Sequence, residues 1–510
     1  AAQPRERAGT PRPAPAQNQS LAAMPDGSVP VTLSEAVFLA LRNNRQIRSQ
    51  YIQRVQDRFS LRVAQYALEP QASVQGGAFN WNYTRNLGVG PSVFVPLDPR
   101  NPGVGFIQRP GGSVSQSITL SATPQASITL PTGAQFTFAW GMYQTLDRTG
   151  RGTNSWNSVP TVSVTQPLLR GAGENSPAVV QLRQARLQEL QSQINLRGTV
   201  AQQVTATIAA YRTLLQAQEQ LRISTESLRR ARDLVEVTRA LVAAGRQAQV
   251  EIIQAETRVA QQELSLLSAR NALSAARLAL LTLLALDPGS PIWAVERPSA
   301  ETVTVDLNRA LSVAQNTRPS LLVAQLGIET ARLGVEQARN GRLWDVGVTA
   351  SAGIPLNERD PERGFGTLPR QRPAYGIGLT FGIPLTDVDR QAAEVSATVA
   401  LRRAEIAIQE ERARLRESVE NAVRTIETQR RSAELARRAR ELAAQQLEAE
   451  LVRLQAGRSS NFQVVQFQET LQQAEVAELQ AVIAYVNALT SLDLELGTTL
   501  ETWRIVLNDG

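Results

Sequence analysis

The chain has 510 residues, 53 basic against 46 acidic for a net charge of +7, no Cys and no His, and every basic residue is Arg. Without Cys or His it builds no disulfide, no ordinary zinc, copper or haem site and no Ser-His-Asp or Cys-His nucleophile, so neither an enzyme nor a bound cofactor is expected. The Arg residues are spread along helical stretches without interleaved aromatics, which reads as solvated helix faces and not as a nucleic-acid footprint.

No apolar run approaches the ~18–20 residues of a membrane-spanning helix. The longest, Leu278 to Leu286, is about half that length. The first residue is Ala1, which fits the prior removal of a targeting segment. Residues 1–30 are rich in Pro, Ala, Gln and Arg, the composition of a linker or surface strap. Thr32 with Glu35 three positions on forms a capping-box pattern, opening a helix whose apolar face is Leu33, Ala36, Val37, Ala40 and Leu41. Asn43-Asn44 marks a break, and a second helix is expected from about Arg45 to Leu68, ahead of Pro70.

The period then changes to two. Phe79, Trp81 and Tyr83 alternate with Asn, and Val114, Ile118, Leu120, Ala122, Ala126, Ile128 and Leu130 share one parity. Pro131-Thr-Gly133 is a turn, followed by Ala134, Phe136, Phe138, Trp140 and Met142 in alternation and a last strand from Thr161 to Pro167. Apolar and aromatic residues on one strand face with Gly, Ser and Thr on the other suit a barrel with lipid outside and water inside, the rival being a soluble β-sandwich.

From Pro177 to Asp287 proline is absent after the first position and the glycines are Gly198 and Gly245. Leu214, Leu221, Leu228, Val235 and Val242 mark one seven-residue seam, and Leu187, Ile194, Ile208 and Leu215 another, the coiled-coil period. A helix over 177–244, a turn at Gly245 and a helix over 247–286 follow. Residues 287–304 read as a linker, beginning with Asp287-Pro-Gly-Ser-Pro291.

The scheme then restarts. Val305-Asp-Leu307 echoes Val31-Thr-Leu33, and Ala243-Ala-Gly-Arg246 returns as Gln455-Ala-Gly-Arg458. The early parts are offset by 274 residues, Pro167 and Pro384 by 217, and the late parts by 212. The first copy (31–286) thus carries 62 residues more than the second (305–497), 57 of them ahead of the proline, enough for an extra hairpin and longer loops. The second copy has strands over about 344–387 against 70–169 in the first, a long helix over 388–456 with Leu401, Ile408, Leu415, Leu435 and Leu442 in seven-residue steps, a turn at Gly457 and a helix over 460–497; residues 498–510 are a tail. The fold class is therefore a mixed α/β membrane protein with an internal two-fold repeat. About four strands per chain, with an extra hairpin left open, do not close a membrane barrel, which takes at least eight. Open edges are forbidden in lipid, so the chain must oligomerise, and three copies would give about twelve strands.

On Gln166-Pro-Leu-Leu-Arg-Gly171, Tyr375-Gly-Ile-Gly-Leu-Thr-Phe-Gly-Ile-Pro-Leu385 and the two glycine-turn segments, repeated in order, the chain resembles the TolC-like outer membrane efflux family over residues 31–500. The resemblance implies a homotrimer: a β-barrel in outer membrane lipid of a Gram-negative bacterium, continuing into a long antiparallel α-helical barrel across the periplasm. It implies a passive exit duct for an inner-membrane transporter, reached through a periplasmic adaptor, in efflux or type I secretion. It also implies a pore constriction at Gln463 and Gln466, with Glu251 and Gln254 at the matching positions of the first copy. Gly245, Arg246, Gly457 and Arg458 stand where the family's adaptor-docking turns lie, and Pro167 and Pro384 mark the passages from strand to helix. Family members often carry Asp at the constriction; here only Glu251 offers a carboxylate. The alternative reading is a periplasmic coiled-coil adaptor or structural scaffold.

Overall fold

Thr32 opens the first helix in the way its neighbours require. Its hydroxyl accepts from the Glu35 N–H at 3.2 Å, and the Glu35 carboxylate accepts from the Thr32 N–H at 2.8 Å, a closed capping box at the head of α1 (Leu33–Asn43). The computed structural model describes residues 27–96, 104–147, 154–296, 303–358, 372–456 and 458–507. Asn44 interrupts the helix and restarts it. Its Oδ1 accepts from the N–H groups of Gln46 and Ile47, beginning α2 (Arg45–Tyr66), while its Nδ2 donates to Gln203 and to the Leu283 carbonyl. Asp306 caps α5 (Leu307–Thr317) in the place of Thr32, and α6 is Pro319–Arg342.

The long helices are α3 (Pro177–Ala243, 67 residues), α4 (Val250–Leu284, 35 residues), α7 (Val388–Gln455, 68 residues) and α8 (Asn461–Leu496, 36 residues). A short α9 (Thr499–Thr502) follows. At ~1.5 Å per residue α3 is roughly 100 Å long, and packing of its apolar side, more than propensity, stabilises it. Its buried side recurs every three or four residues: Leu196, Val200, Val204, Ile208, Tyr211, Leu214, Leu228 and Val235. On α4 the seam is Ala255, Gln262, Ala269 and Ala276, in seven-residue steps. On α7, Ile408 and Leu415 are buried as expected, but Leu435 and Leu442 are exposed. The buried line shifts by four residues between Leu415 and Val419 and runs on through Ile426, Ala433, half-buried Arg440, Leu447 and Leu454. The period is right and the phase is not, because a four-residue stutter rotates the seam away from Leu435 and Leu442.

Two compact units divide the chain, the division falling inside α2, α3, α6 and α7. The helical unit comprises Gln193–Gln325, Ala407–Gly510 and the segment up to Arg54. Its core gathers on a small parallel sheet of β1 (Val29–Val31) and β6 (Ile292–Ala294). This corrects the reading of 287–304 as a bare linker: Ile292, Trp293 and Ala294 are all buried. Three-residue strands pairing across such a sequence distance leave no periodic signal. Tyr211 fixes the sheet to α3, its hydroxyl donating to the Val31 carbonyl at 2.9 Å and accepting from the Glu296 N–H at 3.3 Å. The neighbouring Arg212 donates through one nitrogen to the Val486 carbonyl, Asn487 Oδ1 and Thr490 Oγ1 of α8, at 2.7–3.0 Å.

The strand unit comprises Val55–Ser192 and Leu326–Ile406. It holds β2 (Gln71–Pro96), β3 (Val104–Thr129), β4 (Gln135–Asp147), β5 (Ser155–Pro167), β7 (Asp345–Gly353), β8 (Leu356–Glu358) and β9 (Ala374–Gly382). The sheet order is β2-β3-β4-β5-β7-β9, all neighbours antiparallel, with β8 pairing β5. The hairpin left open by the sequence is therefore part of the sheet. Register sorts the faces. Ile128, Phe136, Val164, Ala350 and Ile377 stand opposite one another across five strands, and one step on Thr129, Gln135, Thr165, Thr349 and Gly378 do the same. One face is apolar, and its residues on the edge strand β9 are exposed, Ile377 by 87% and Leu379 by 69%. The other is built of Thr, Ser, Gln and Gly. Of the expected strand residues, Val114 pairs with Arg85 through its backbone and Phe79 falls in a register shift between Gly77 and Asn80; the side chains of both lie outside the described set.

Burial pushes the Tyr211 phenol up to about 12. A phenol whose proton is held more tightly in the folded state contributes stability that is intact below its unfolded value near 10 and is lost as pH rises toward 12. Urea midpoints in detergent are therefore expected to fall between pH 10 and about 12. Tyr211→Phe should flatten that part of the profile while lowering the neutral-pH unfolding free energy by about 1 kcal/mol for the lost hydrogen bonds. An unchanged alkaline limb in the variant would contradict the assignment.

Candidate functional site

Two kinds of position were marked by the sequence: the glycine turns of the helical unit and the strand-to-helix passages of the strand unit. The first turn closes α3 as a Schellman motif. The Arg246 N–H donates to the Leu241 carbonyl and the Gly245 N–H to the Val242 carbonyl, both at 2.9 Å. Gly245 has φ +68°, the left-handed conformation that this motif needs and that side chains with a Cβ disfavour. The second turn carries the same outer bond, Arg458 N–H to Arg453 carbonyl at 2.9 Å; Gly457 itself lies outside the described residues.

Around these turns the expected pore residues Gln254, Gln463 and Gln466 are exposed, as are Arg246 and Arg458. Glu251 differs. It is half-buried at the start of α4, and its Oε2 is enclosed without a hydrogen-bond partner among the described residues. The exposed surface of the turns is thus dominated by neutral amides and guanidinium groups, with one carboxylate held back.

The polar contacts that tie the two turns together were not anticipated. Asn461, only 1% exposed, donates to Thr238 Oγ1 at 2.8 Å and to Gln247 Oε1 at 3.1 Å. It begins α8 yet completes the end of α3 and the turn after it. Glu450, 5% exposed, accepts from Ser459 and from Arg453 at 3.3 Å, so it anchors the second turn from inside. Ser460 caps α8 by accepting from the Gln463 N–H. An apolar cluster of Leu234, Ala443, Leu447, Leu454, Val464 and Leu471 backs this polar layer. A buried Asn or Glu carries no distinguishing sequence signal, since in a heptad it reads as any polar position.

The passage at Pro167 is a dense knot. Gln166 Nε2 donates to the Thr132 carbonyl, Leu168 N–H to the Val346 carbonyl, and Gly171 N–H to Asn340 Oδ1. Arg170 pairs with Asp345 at 3.1 Å. A Cβ on Gly133 would stand 2.5 Å from the Gly171 carbonyl oxygen, so the turn Pro131-Thr-Gly133 requires glycine to lie against the Gln166–Gly171 motif. Pro177 then occupies the first position of α3, where a missing N–H costs nothing. A cavity of about 920 Å³ lies here, lined among others by Thr129, Gln135, Thr165, Gln181 and Asn340, continuous with the polar sheet face. Pro384 stands two residues beyond the end of β9, beside fully exposed Leu385.

Comparison with known proteins bears on this arrangement. Residues 310–498 match the family model described as outer membrane efflux protein. No curated protein matches the chain in sequence. Among solved structures, the CmeC outer membrane channel of Campylobacter jejuni superposes with a TM-score of 0.65 at 14% identity, over 92% of this chain and 86% of that one. A membrane protein from Pseudomonas aeruginosa gives 0.64 at 18% identity, over 91% and 90%. The open-state MtrE outer membrane channel of Neisseria gonorrhoeae gives 0.63 at 15% identity, over 92% and 89%. The fold is thus that of these channels along nearly its whole length, and the sequence pattern of the family is present in the second half.

Asn461→Ala should leave Thr238 and Gln247 without their partner and lower local stability at the turns by about 1–3 kcal/mol. Hydrogen exchange should then accelerate in residues 238–250 and 450–465 while the β1–β6 core keeps its protection. Unaltered exchange at residues 238–250 would remove Asn461 from the role of joining the turns.

Proposed function

We propose that the chain is an outer membrane efflux channel of a Gram-negative bacterium, a passive exit duct that conducts solutes delivered from an inner-membrane transporter through a periplasmic adaptor. The observation that carries this reading is the sheet: an exposed apolar face and a polar face alternate in register across its strands, in a chain whose second half has the efflux-family pattern. A soluble adaptor or scaffold has no solvent suited to so much outward-lying Ile, Leu, Phe and Tyr.

Lipid admits no unpaired strand edge, and β2 and β9 each have one neighbour within the chain. Three copies joined edge to edge close the wall, and the duplicated long helices form an antiparallel helical barrel. No bond is made or broken in transport; the work is done by rings and contacts. At the constriction, Gln463, Gln466 and Gln254 present neutral amides, while Glu251 supplies the one carboxylate per copy that biases the pore toward cations. The turns at Gly245-Arg246 and Gly457-Arg458 are the adaptor's docking points, their exposed guanidinium groups meeting acidic side chains. Adaptor binding shifts the population from closed to open by competing for those Arg contacts.

Detergent-extracted protein is expected to run as a trimer and to give single-channel current in a planar bilayer. Under a KCl gradient, Glu251→Gln should move the reversal potential toward zero and Gln463→Asp should move it toward the cation limit. A monomer without current would overturn the duct; a trimer whose selectivity ignores both changes would remove the constriction from this end.

A further inference from the structure

One row of paired residues crosses all six long strands without a break: Ala72, Ala126, Phe138, Val162, Ala352 and Tyr375. The row beside it is Gln71, Ser127, Thr137, Ser163, Ser351 and Gly376. The alternation that suits β4 to β9 to lipid on one side and water on the other thus extends unchanged through β3 into β2. Beyond a register shift between Gly77 and Asn80, Trp81 stands opposite Ile118, which stands opposite Leu146. Val74, Trp81 and Tyr83 are 73%, 52% and 54% exposed, and the Trp81 and Tyr83 rings stack with centroids 6.2 Å apart. A flap lying in water would have no use for this face.

Resting on the duct reading above, we infer that the β2–β3 hairpin is membrane wall, that each copy supplies six wall strands, and that the seam between copies is β9 of one against β2 of the next. Direction supports the seam. Successive strands in the order β2-β3-β4-β5-β7-β9 are antiparallel throughout, so with an even number of strands β9 meets a neighbouring β2 antiparallel and closure is seamless in direction. Making β4 the seam would require breaking the eleven residue pairs between Ser117↔Asp147 and Thr129↔Gln135. Three copies then close about eighteen strands, and because barrel diameter grows roughly linearly with strand number this mouth is about half as wide again as a twelve-stranded one. The outer opening therefore does not limit what passes, and the limiting aperture falls to the glycine-turn end. Residues 85–96 and 104–114 pair only with each other and project past β4 as a two-stranded ribbon.

The Cys-free chain makes the seam directly testable. Within one chain β2 and β9 are five strand spacings apart, about 24 Å, beyond the reach of a disulfide, so only neighbouring copies can join them. Chains carrying one cysteine on β2 (Gln71→Cys or Ser73→Cys) and one on β9 (Gly376→Cys, Gly378→Cys or Thr380→Cys) are purified as trimers and oxidised with copper-phenanthroline. Denaturing gels should show covalent dimers and trimers for at least one pairing. Cross-linking instead between Thr137→Cys on β4 and Gly378→Cys, with none from β2, would overturn the six-strand wall while leaving the trimeric duct intact. Failure to isolate any oligomer would overturn the duct reading itself, and this inference with it. As a second measurement, a fluorophore on Val74→Cys should be quenched several-fold more by nitroxide-bearing acyl chains than one on Ser73→Cys. Equal quenching at both positions, or none at either, would place β2 outside the wall.

Discussion

At the depth of lipid every backbone N–H and C=O must be paired within protein, because no water is there to take the bond. The strand unit meets that demand along its interior and leaves it open at β2 and β9. Most of the sheet's other features follow from this one constraint. Paired register keeps the two faces segregated, since a one-residue slip would turn Phe138, Val162 and Tyr375 onto the polar face and Ser163 and Ser351 onto the apolar one. The strand ends must also be sealed where polar surroundings resume. The knot around Pro167, with Gln166, Asn340 and Arg170–Asp345, supplies those partners with side chains instead of strands.

The helical unit obeys a different rule. Its helices draw most of their stability from packing along seams and less from propensity. Those seams are mostly small or branched apolar residues, interrupted by a few buried polar groups, some of which find hydrogen-bond partners on a neighbouring helix. Arg212 is the clearest. Its guanidinium is desolvated, which lowers its pKa to about 10, and it finds three oxygen acceptors on α8 and no carboxylate. A guanidinium keeps its charge under such burial, whereas an ammonium would tend to shed it. Tyr211 and Asn461 work likewise at the β1–β6 core and at the turns. Arg212 and Asn461 each belong to one repeat and are satisfied by the other, whereas Tyr211 bonds to Val31 of its own repeat and to Glu296 of the joining segment.

How much of this was legible in the sequence depended on whether a feature is periodic or local. The capping box at Thr32, the break at Asn44, the 67-residue span of α3 and the left-handed glycine at residue 245 are local chemistry, and all could be read. The strand faces could be read wherever alternation ran clean, as from Phe136 to Met142. The lengths of β2 and β3 could not, because glycines and prolines between residues 76 and 112 break the period while the backbones still pair. β6 was hidden for a related reason, three residues paired to a strand some 260 positions away. The stutter in α7 misled the seam assignment at Leu435 and Leu442, since leucine is the natural guess for a core position and alanine took it. Of the candidate site, the turns were visible and their buried clasp was not: Asn461 has a glutamine, Gln249, at its counterpart in the first repeat, so the duplication itself concealed the difference.

The alanine seam of α4 sets a torsion. A straight α-helix drifts about 20° per heptad relative to a strict seven-residue repeat. From Ala255 through Gln262 and Ala269 to Ala276 there are three such steps, so a line that stays buried must wind left-handed by about 60°. Alanine side chains form no deep knobs to lock one helix against another, and they set this pitch without stiffening it. Straightening α4 would rotate Ala255 away from the face that Ala276 keeps, so in this hairpin any change of bore is also a change of twist.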